Sequence, residues 1–468
     1  MRKLYVICGD PFLYGVAHLF NLDRIAYKEA RKLKVIIYPL AIIKLGAKWR
    51  SVGTKKWWLE YWERERIMPA EFLYSTEIDL SIDNGPGISE REFVHVLLKH
   101  FGDQIICVVP YPKYPNNYFN SRINYVFPHK SQPARYPLFL VSLTLKICQL
   151  NRRHKFNALV FRLGMVPIVP LLVHKVLRIP MLLKTLAGYY FFEKGNRHWT
   201  RKLLATLTLP IYKAVLRRVC AADTVSIPYV DWLHFKFGIS KDKLCVIPNG
   251  ANTALFSPKN KNVCRTELGL DRFVKIVGYV GALDSLRHLD SLVRCTRDIQ
   301  ATGKQGLVLV GDGPEKTALR RLVVSLGLEK NVLFTGAIPY QDVPKYINSF
   351  DVAVDLSLVP MRVGDGMLYG SYSQKIPQYL SCGVPIIAWD VSDTQFLKKQ
   401  KIGNVATVGD TGNMAQAIKG ILSMNESEYT QLSTRARRYT ETHFSTRALA
   451  TERLAFWRSV LTSKESKK

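Results

Sequence analysis

Acidic residues are scarce in this chain. Thirty-seven Asp+Glu stand against 67 Lys+Arg in 468 residues, a formal net charge of +30. So large an imbalance calls for an anionic partner: a nucleoside diphosphate, a membrane surface or nucleic acid. A diphosphate alone would occupy only a few of those cations. Other features are missing outright. There is no carboxylate cluster of the DxD metal type, no HExxH, no Ser/His/Asp order and no G-x-G-x-x-G. These absences leave hydrolase, metal-dependent and dehydrogenase readings with little support, and no metal is expected.

The eight cysteines form no CxxC pair and no metal-ligand spacing. Several stand in apolar, strand-like runs, so they read as buried reduced thiols of a cytosolic protein. Long apolar runs are also lacking. Lys146 interrupts 136–150, and Arg162, His174, Lys175 and Arg178 interrupt 158–183, whereas a spanning helix needs about 18 or more apolar residues. The first apolar run is stopped by Asp10 and Pro11, too early for a signal peptide.

What is present is a folded chain, 47% hydrophobic and long enough for two domains. Its most informative stretch runs from Lys275 to Asp390. KIVGYVGALDSLRHLDSLV (275–293) reads as strand, glycine turn and amphipathic helix, a strand–loop–helix anion cradle. GLVLVGDGP (306–314) ends in a turn of Gly311, Asp312, Gly313 and Pro314, where bare backbone can approach a ligand before a helix begins near Glu315. Strands follow at 331–338 and 351–357. A helix closed by Gly383 then leads to a buried strand ending at Asp390. This β-α-β alternation predicts a doubly wound parallel sheet with ligands at the carboxyl ends of its strands.

Five pieces carry a family resemblance: VIPNGANTALFSP (246–258), GYVGALDSLRHLDSL (278–292), LVLVGDGP (307–314), VLFTGAIPYQDVPKYINSFDVAVDLS (332–357) and KIPQYLSCGVPIIA (375–388). In this order they resemble the nucleotide-binding half of the GT-B glycosyltransferases, in particular the retaining family 4 (glycosyl transferases group 1). The resemblance implies an α/β protein of two Rossmann-like doubly wound domains facing across a cleft. The domains would be an acceptor-side domain over 1–256, a nucleotide-sugar domain over 257–445, and a helix over 446–468 packing back on the first domain. The basic segment 259–265 reads as the linker.

The resemblance also assigns a site. Gly281, Gly311 and Gly313 would line the nucleotide, and backbone near Ile338 would meet the base. Ser371, Tyr372 and Ser373 would contact the sugar. Arg287 would grip the diphosphate, Lys375 would reach phosphate or sugar, and Gln378 would take the ribose. Three positions depart from the pattern. Ala282 replaces a cation, while Gly370 and Gln378 stand where the family carries two glutamates eight positions apart. Gln378 keeps an acceptor oxygen, whereas Gly370 has no side chain, and Asp365 is a candidate substitute.

The N-terminal half is less legible. LYVIC (4–8), a helix over 21–33 and a strand over 34–40 read as its first β-α-β unit. Trp49, Trp57, Trp58, Tyr61 and Trp62 are interleaved with cations over 44–66. That composition suits a membrane–water interface, stacking on sugars or bases, or a helix packed on the core. Strands are expected at 104–111 and 157–163, and a helix then a strand over 167–188. His198 is a candidate acceptor-site residue. The stretch 201–219, broken by Pro210, carries Arg201, Lys202, Lys213, Arg217 and Arg218, and reads either as a face on anionic lipid or as a solvated core helix.

The resemblance implies a retaining transfer of sugar from a UDP- or GDP-sugar, as substrate and without cofactor or metal, to a glycan or lipid-linked acceptor of the cell surface. The charge adds an anionic membrane surface as partner, placing the protein in the cytoplasm at the inner membrane face. No nucleic-acid module is recognisable. A catalytically degenerate binding or partner subunit, and a sugar-nucleotide epimerase, remain open beside it.

Overall fold

The computed structural model describes residues 70–114, 118–127, 135–164, 167–184, 199–299, 305–371 and 373–465. The elements expected over 4–40, the Trp-rich stretch 44–66, His198 and Tyr372 lie outside them. The described chain forms the two Rossmann-like parallel sheets that the sequence implies.

The first sheet comprises β1 (Phe72–Thr76), β2 (Ile105–Pro110), β3 (Asn124–Val126), β4 (Ala158–Arg162), β5 (Met181–Leu183), β6 (Ala221–Thr224) and β7 (Leu244–Val246). Its order is β3-β2-β1-β4-β5-β6-β7 with parallel pairing throughout. Among the described residues the first strand of this sheet is Phe72–Thr76, which was not expected from the sequence. Glu77, Asp79 and Asp83 break the apolar pattern just beyond it. The helix Gly85–Phe101 follows because the Asn84 side chain accepts from Gly87 N–H and Pro86 sits in the first turn, where its missing N–H costs nothing.

Pro210 does not break its stretch: one helix runs Trp199–Arg218. Tyr212, Val215 and Leu216 are buried in the core of the sheet while Lys213, Arg217 and Arg218 are exposed. Packing of that apolar stripe outweighs the hydrogen bond that a proline removes. Tyr212, Val215 and Leu216 are thus committed to the protein interior, whereas Leu207, 63% exposed, meets solvent with the basic residues.

The second sheet comprises β8 (Lys275–Val280), β9 (Gln305–Val310), β10 (Val332–Gly336), β11 (Val352–Asp355), β14 (Ile386–Trp389) and β15 (Gly403–Ala406), in the order β10-β9-β8-β11-β14-β15. The strand order reverses between β8 and β11, so the crevice at their carboxyl ends is the switch point where such sheets bind ligands. Residues expected as a linker belong to this half. Lys261–Glu267 is a helix, and Lys261 and Arg265 both pair with the buried Asp351, at 2.9 and 2.5 Å.

Between β11 and the next helix the chain makes an antiparallel hairpin, β12 (Val359–Val363) and β13 (Gly366–Gly370). Val359 and Met361 bury themselves with Tyr229, Trp232, Leu233 and Phe237 in the core of the first half. The hairpin is therefore a strap from one half to the other. Asp365 sits at its turn, and four to five residues of strand, about 15 Å at ~3.4 Å each, separate it from Gly370. It does not supply an acid there.

The last helix, Thr446–Glu465, also joins the halves. Trp457 is fully buried with its ring centroid 5.6 Å from that of Phe72, and Arg453 pairs with Asp223 at 3.1 Å. Among the described residues no helix is long and apolar enough to cross a membrane.

Candidate functional site

The switch point gathers two of the expected cations. The strand β8 ends at Gly281, whose N–H bonds to Val310 O at 2.8 Å. The chain then enters a single 3-10 turn, Ser285–Arg287, capped by Asp284 accepting from Leu286 N–H at 3.0 Å. His288, with φ 47°, separates this turn from the helix Leu289–Ile299. Arg287 therefore lies before the helix and not within it.

The guanidinium of Arg287 donates from Nη1 to Ser357 Oγ at 2.9 Å. Lys375, the first residue of the helix Lys375–Ser381, brings its ammonium to the same hydroxyl at 3.2 Å and to Asp355 Oδ1 at 3.3 Å. The Ser357 hydroxyl in turn donates to Asp355. Asp355, at the end of β11, is the hub of this arrangement and was not singled out in the sequence. Its signal there was faint: a lone acid closing the apolar run DVAV beside the switch point.

Burial opposes charge on both members of the pair. It would raise the Asp355 carboxyl, but Lys375 and the hydroxyls of Ser357 and Ser373 hold it below the ordinary carboxylate range. Burial pushes Lys375 down to about 8, with Asp355 offsetting part of the effect and Arg287 adding to it. The two neighbouring cations face two carboxylates, Asp355 and, 3.5 Å from Arg287 Nε, Asp284. Two buried polar atoms there, Arg287 Nε and Asp355 Oδ2, make no hydrogen bond. An anion with several acceptor oxygens fits such a place, since it would relieve the Arg287–Lys375 repulsion and satisfy the guanidinium.

A pH dependence follows with a definite sign. A lysine that titrates near 8 loses its charge as pH rises, so anion affinity falls through that range. Binding of a nucleoside diphosphate should weaken above about pH 8, toward a tenfold limit per unit. Lys375→Arg should remove the fall between pH 7 and 9, as measured by calorimetry.

The glycine turns serve packing as well as approach. A Cβ on Gly311 would stand 2.0 Å from Gly281 O, and one on Gly313 would stand 2.4 Å from Leu283 O. These glycines let the loops after β8 and β9 lie backbone to backbone, which holds the turn that carries Arg287.

Ile338 and Gln378 belong to a second group. The Gln378 amide donates to Tyr340 OH at 3.4 Å, and Tyr340 OH donates to Glu92 Oε1 at 2.8 Å. Glu92 comes from the helix Gly85–Phe101, so this chain crosses between the halves. Burial raises the Glu92 carboxyl to about 7. An acid at 378 would place two carboxylates around one phenol proton, which is a physical reason for the neutral amide. Gln378 is only 7% exposed. Ser371 is set apart from the cation pair and donates its N–H to Asp393 at 2.8 Å.

On the facing half, the ends of β4 and β5 present Arg162 and Lys184 to the fully buried Glu90. Tyr74 OH donates to the same carboxylate. Burial alone would raise Glu90, but Lys184 and Arg162 bring it down to about 2. Arg162, Lys184 and Arg453 line a pocket with Glu92, Gly250 and Gln374. None of this network was visible as a motif.

Residues 274–424 match the family described as Glycosyl transferases group 1. A D-inositol 3-phosphate glycosyltransferase of Nocardia farcinica is 27% identical over 199 residues, 40% of this chain and 41% of that protein. Its counterpart in Acidothermus cellulolyticus is 29% identical over 198 residues, 40% and 42%. The chain thus spans about two-fifths of the length of these relatives. Among solved structures, Anabaena Alr3699/HepE in complex with UDP superposes with a TM-score of 0.61 at 17% identity, covering 83% of this chain and all of that one. A glycosyltransferase from Rickettsia africae gives 0.64 at 15%, covering 84% and 99%. The shared feature is the GT-B fold.

Proposed function

From a group 1 glycosyl transferase region, residues 274–424, set on a GT-B frame, we propose that this protein transfers a sugar from a nucleoside-diphosphate sugar with retention of configuration, as a member of family 4. One observation carries the reading: Arg287 and Lys375 converge on Ser357 and Asp355 at the switch point. The charge of a departing diphosphate grows in the transition state, and a preorganised cation pair in a buried site favours that state over the ground state. The donor is a UDP- or GDP-sugar, as supported by the UDP and UDP-glucose complexes of the Anabaena neighbour. No metal is assigned a part. The acceptor is a glycan or lipid-linked molecule held over the ends of β4 and β5.

A thermal-shift series with UDP, GDP, ADP and CMP tests the donor. A ligand bound only by the folded state stabilises it by about 2.7 kcal/mol at a hundredfold excess over Kd, so one nucleoside diphosphate should raise Tm with the logarithm of its concentration. No shift with any of the four would remove the reading.

A second reading is favoured by Ala282, Gly370 and Gln378, which together lower the catalytic inventory. A degenerate subunit would bind nucleotide without releasing it from a sugar nucleotide, so a hydrolysis panel separates the two. An epimerase would instead return a changed sugar.

Work at the inner face of a membrane belongs to the same proposal and rests on the net charge of +30 and the exposed Lys213, Arg217 and Arg218. Because Tyr212, Val215 and Leu216 of that helix are buried, the attraction of these cations would be electrostatic, about 1 kcal/mol per cation near anionic lipid. Sedimentation with anionic vesicles should succeed at low salt and fail at high salt. Equal recovery in the supernatant under all conditions would favour a soluble acceptor.

A further inference from the structure

Asp393 lies outside every sequence motif, yet it holds groups from both halves of the molecule. Its Oδ1 accepts from Ile227 N–H at 2.9 Å, and its Oδ2 accepts from the Ser226 hydroxyl at 2.6 Å and from Ser371 N–H at 2.8 Å. Ser226 and Ile227 begin the helix Ile227–Phe237 that follows β6 in the first half. Ser371 is where the chain leaves the hairpin on its way to Ser373 and Lys375.

Position 370 packs closely against this contact. A Cβ there would stand 2.6 Å from Ser226 Oγ, 2.8 Å from Met361 Cε and 3.5 Å from Asp393 Oδ2. Glycine leaves the Ser226 hydroxyl room to reach the Asp393 carboxylate without shifting. A negative charge at the start of a helix is favourable in itself. Burial still raises this carboxyl above the ordinary range, against the three hydrogen bonds that favour its charge. The group is thus kept partly desolvated where the halves meet.

We propose that Asp393 is the positioning residue for the sugar side of the donor site, fixing Ser371 to the acceptor-side helix so that the approach to Ser373 and Lys375 is ordered only when the halves are apposed. This rests on the functional reading above, which assigns Ser371 and Ser373 to the sugar. The hairpin strap and the Asp393 contact reinforce each other: one buries apolar side chains across the junction, the other fixes its register by hydrogen bonds.

Asp393→Asn keeps the outline of the side chain but puts an N–H2 group within reach of Ser371 N–H or Ile227 N–H, donor against donor. Ser226→Ala removes only the acceptor-side hydroxyl. On the full chain, amide exchange at Ser371 should speed about tenfold or more in Asp393→Asn. UDP affinity by calorimetry should stay within about threefold, because Arg287, Asp355 and Lys375 keep their contacts. With the best substrate of a UDP-, GDP- and ADP-sugar panel, kcat should fall about tenfold or more while donor KM moves less than about threefold. Ser226→Ala should show the same split with smaller amplitude. Unchanged exchange and unchanged kcat in both variants overturn the proposal. So does a loss of UDP affinity that parallels the loss of turnover, since that marks general disruption. A wild-type protein that binds no nucleotide overturns instead the functional reading, and the sugar-side role with it.

Discussion

Replacing Arg287 by alanine is expected to weaken UDP binding about 10–100-fold while leaving the fold intact. The guanidinium is held by Ser357 at 2.9 Å and lies 3.5 Å from Asp284, but its Nε makes no hydrogen bond. It is therefore placed in advance and keeps donors in reserve for an anion. A charge-assisted contact of this type contributes about 1.5–3 kcal/mol. No second cation at position 282 shares the load, so the effect should lie toward the upper end. Removing Arg287 also removes a repulsion that depresses Lys375, and the lysine should titrate higher in the variant. The measurement is isothermal calorimetry with UDP at pH 7 and pH 9. An unchanged affinity at pH 7 would mean that the diphosphate does not sit at the switch point.

The largest effect on stability is expected at Glu90. This carboxylate is fully buried and faces Arg162, Lys184 at 2.8 Å and Tyr74. Glu90→Ala would leave the buried Lys184 and the half-buried Arg162 without their counter-ion, a change that costs about 3–5 kcal/mol out of a total stability of roughly 5–15 kcal/mol. Lys184, already down to about 8 through burial, would release its proton and recover part of the loss. The pH dependence has a clear sign. Because the folded-state value of Glu90 is lowered from 4.5 to about 2, the unfolded chain takes up the proton first as pH falls. The stabilisation is complete above about pH 4.5 and is lost through the window down to about 2. Urea unfolding of wild type and Glu90→Gln should therefore differ widely at pH 7 and converge near pH 2. A constant gap at both pH values would mean that the buried network does not depend on the charge of Glu90.

These two sites differ in how they could be found from sequence. Arg287 and Lys375 stand at fixed distances from glycine turns and apolar strands, which are local features, and the structure brings both to one hydroxyl. Arg162 and Lys184 lie 72 and 94 residues from Glu90 and meet it only because β4 and β5 are neighbours in the sheet and the helix Gly85–Phe101 packs on that face. A lone buried glutamate in a helix has no periodic signature, because its partners arrive from other strands. The same holds for Asp355 and Asp393, each a single acid at the end of a strand or in the loop beyond it.

The sequence by itself determined the parallel doubly wound second half and the place of its glycine turns. These follow from short-range rules: apolar runs of strand length, helix starts and stops, and positions that tolerate no Cβ. It also determined β2, β4 and β5 of the first half. Only the tertiary structure decided the strand at Phe72–Thr76, the hairpin strap, the unbroken helix through Pro210, and the assignment of 261–267 to a packed helix in place of a linker. Each of these depends on a contact distant in sequence. Met361 shares a core with Trp232, Arg265 is buried against Asp351, and Gly370 lies close beside the Ser226 hydroxyl. Local propensity carries no record of such partners, and so the chemistry of the junction between the halves became readable only once they were in place.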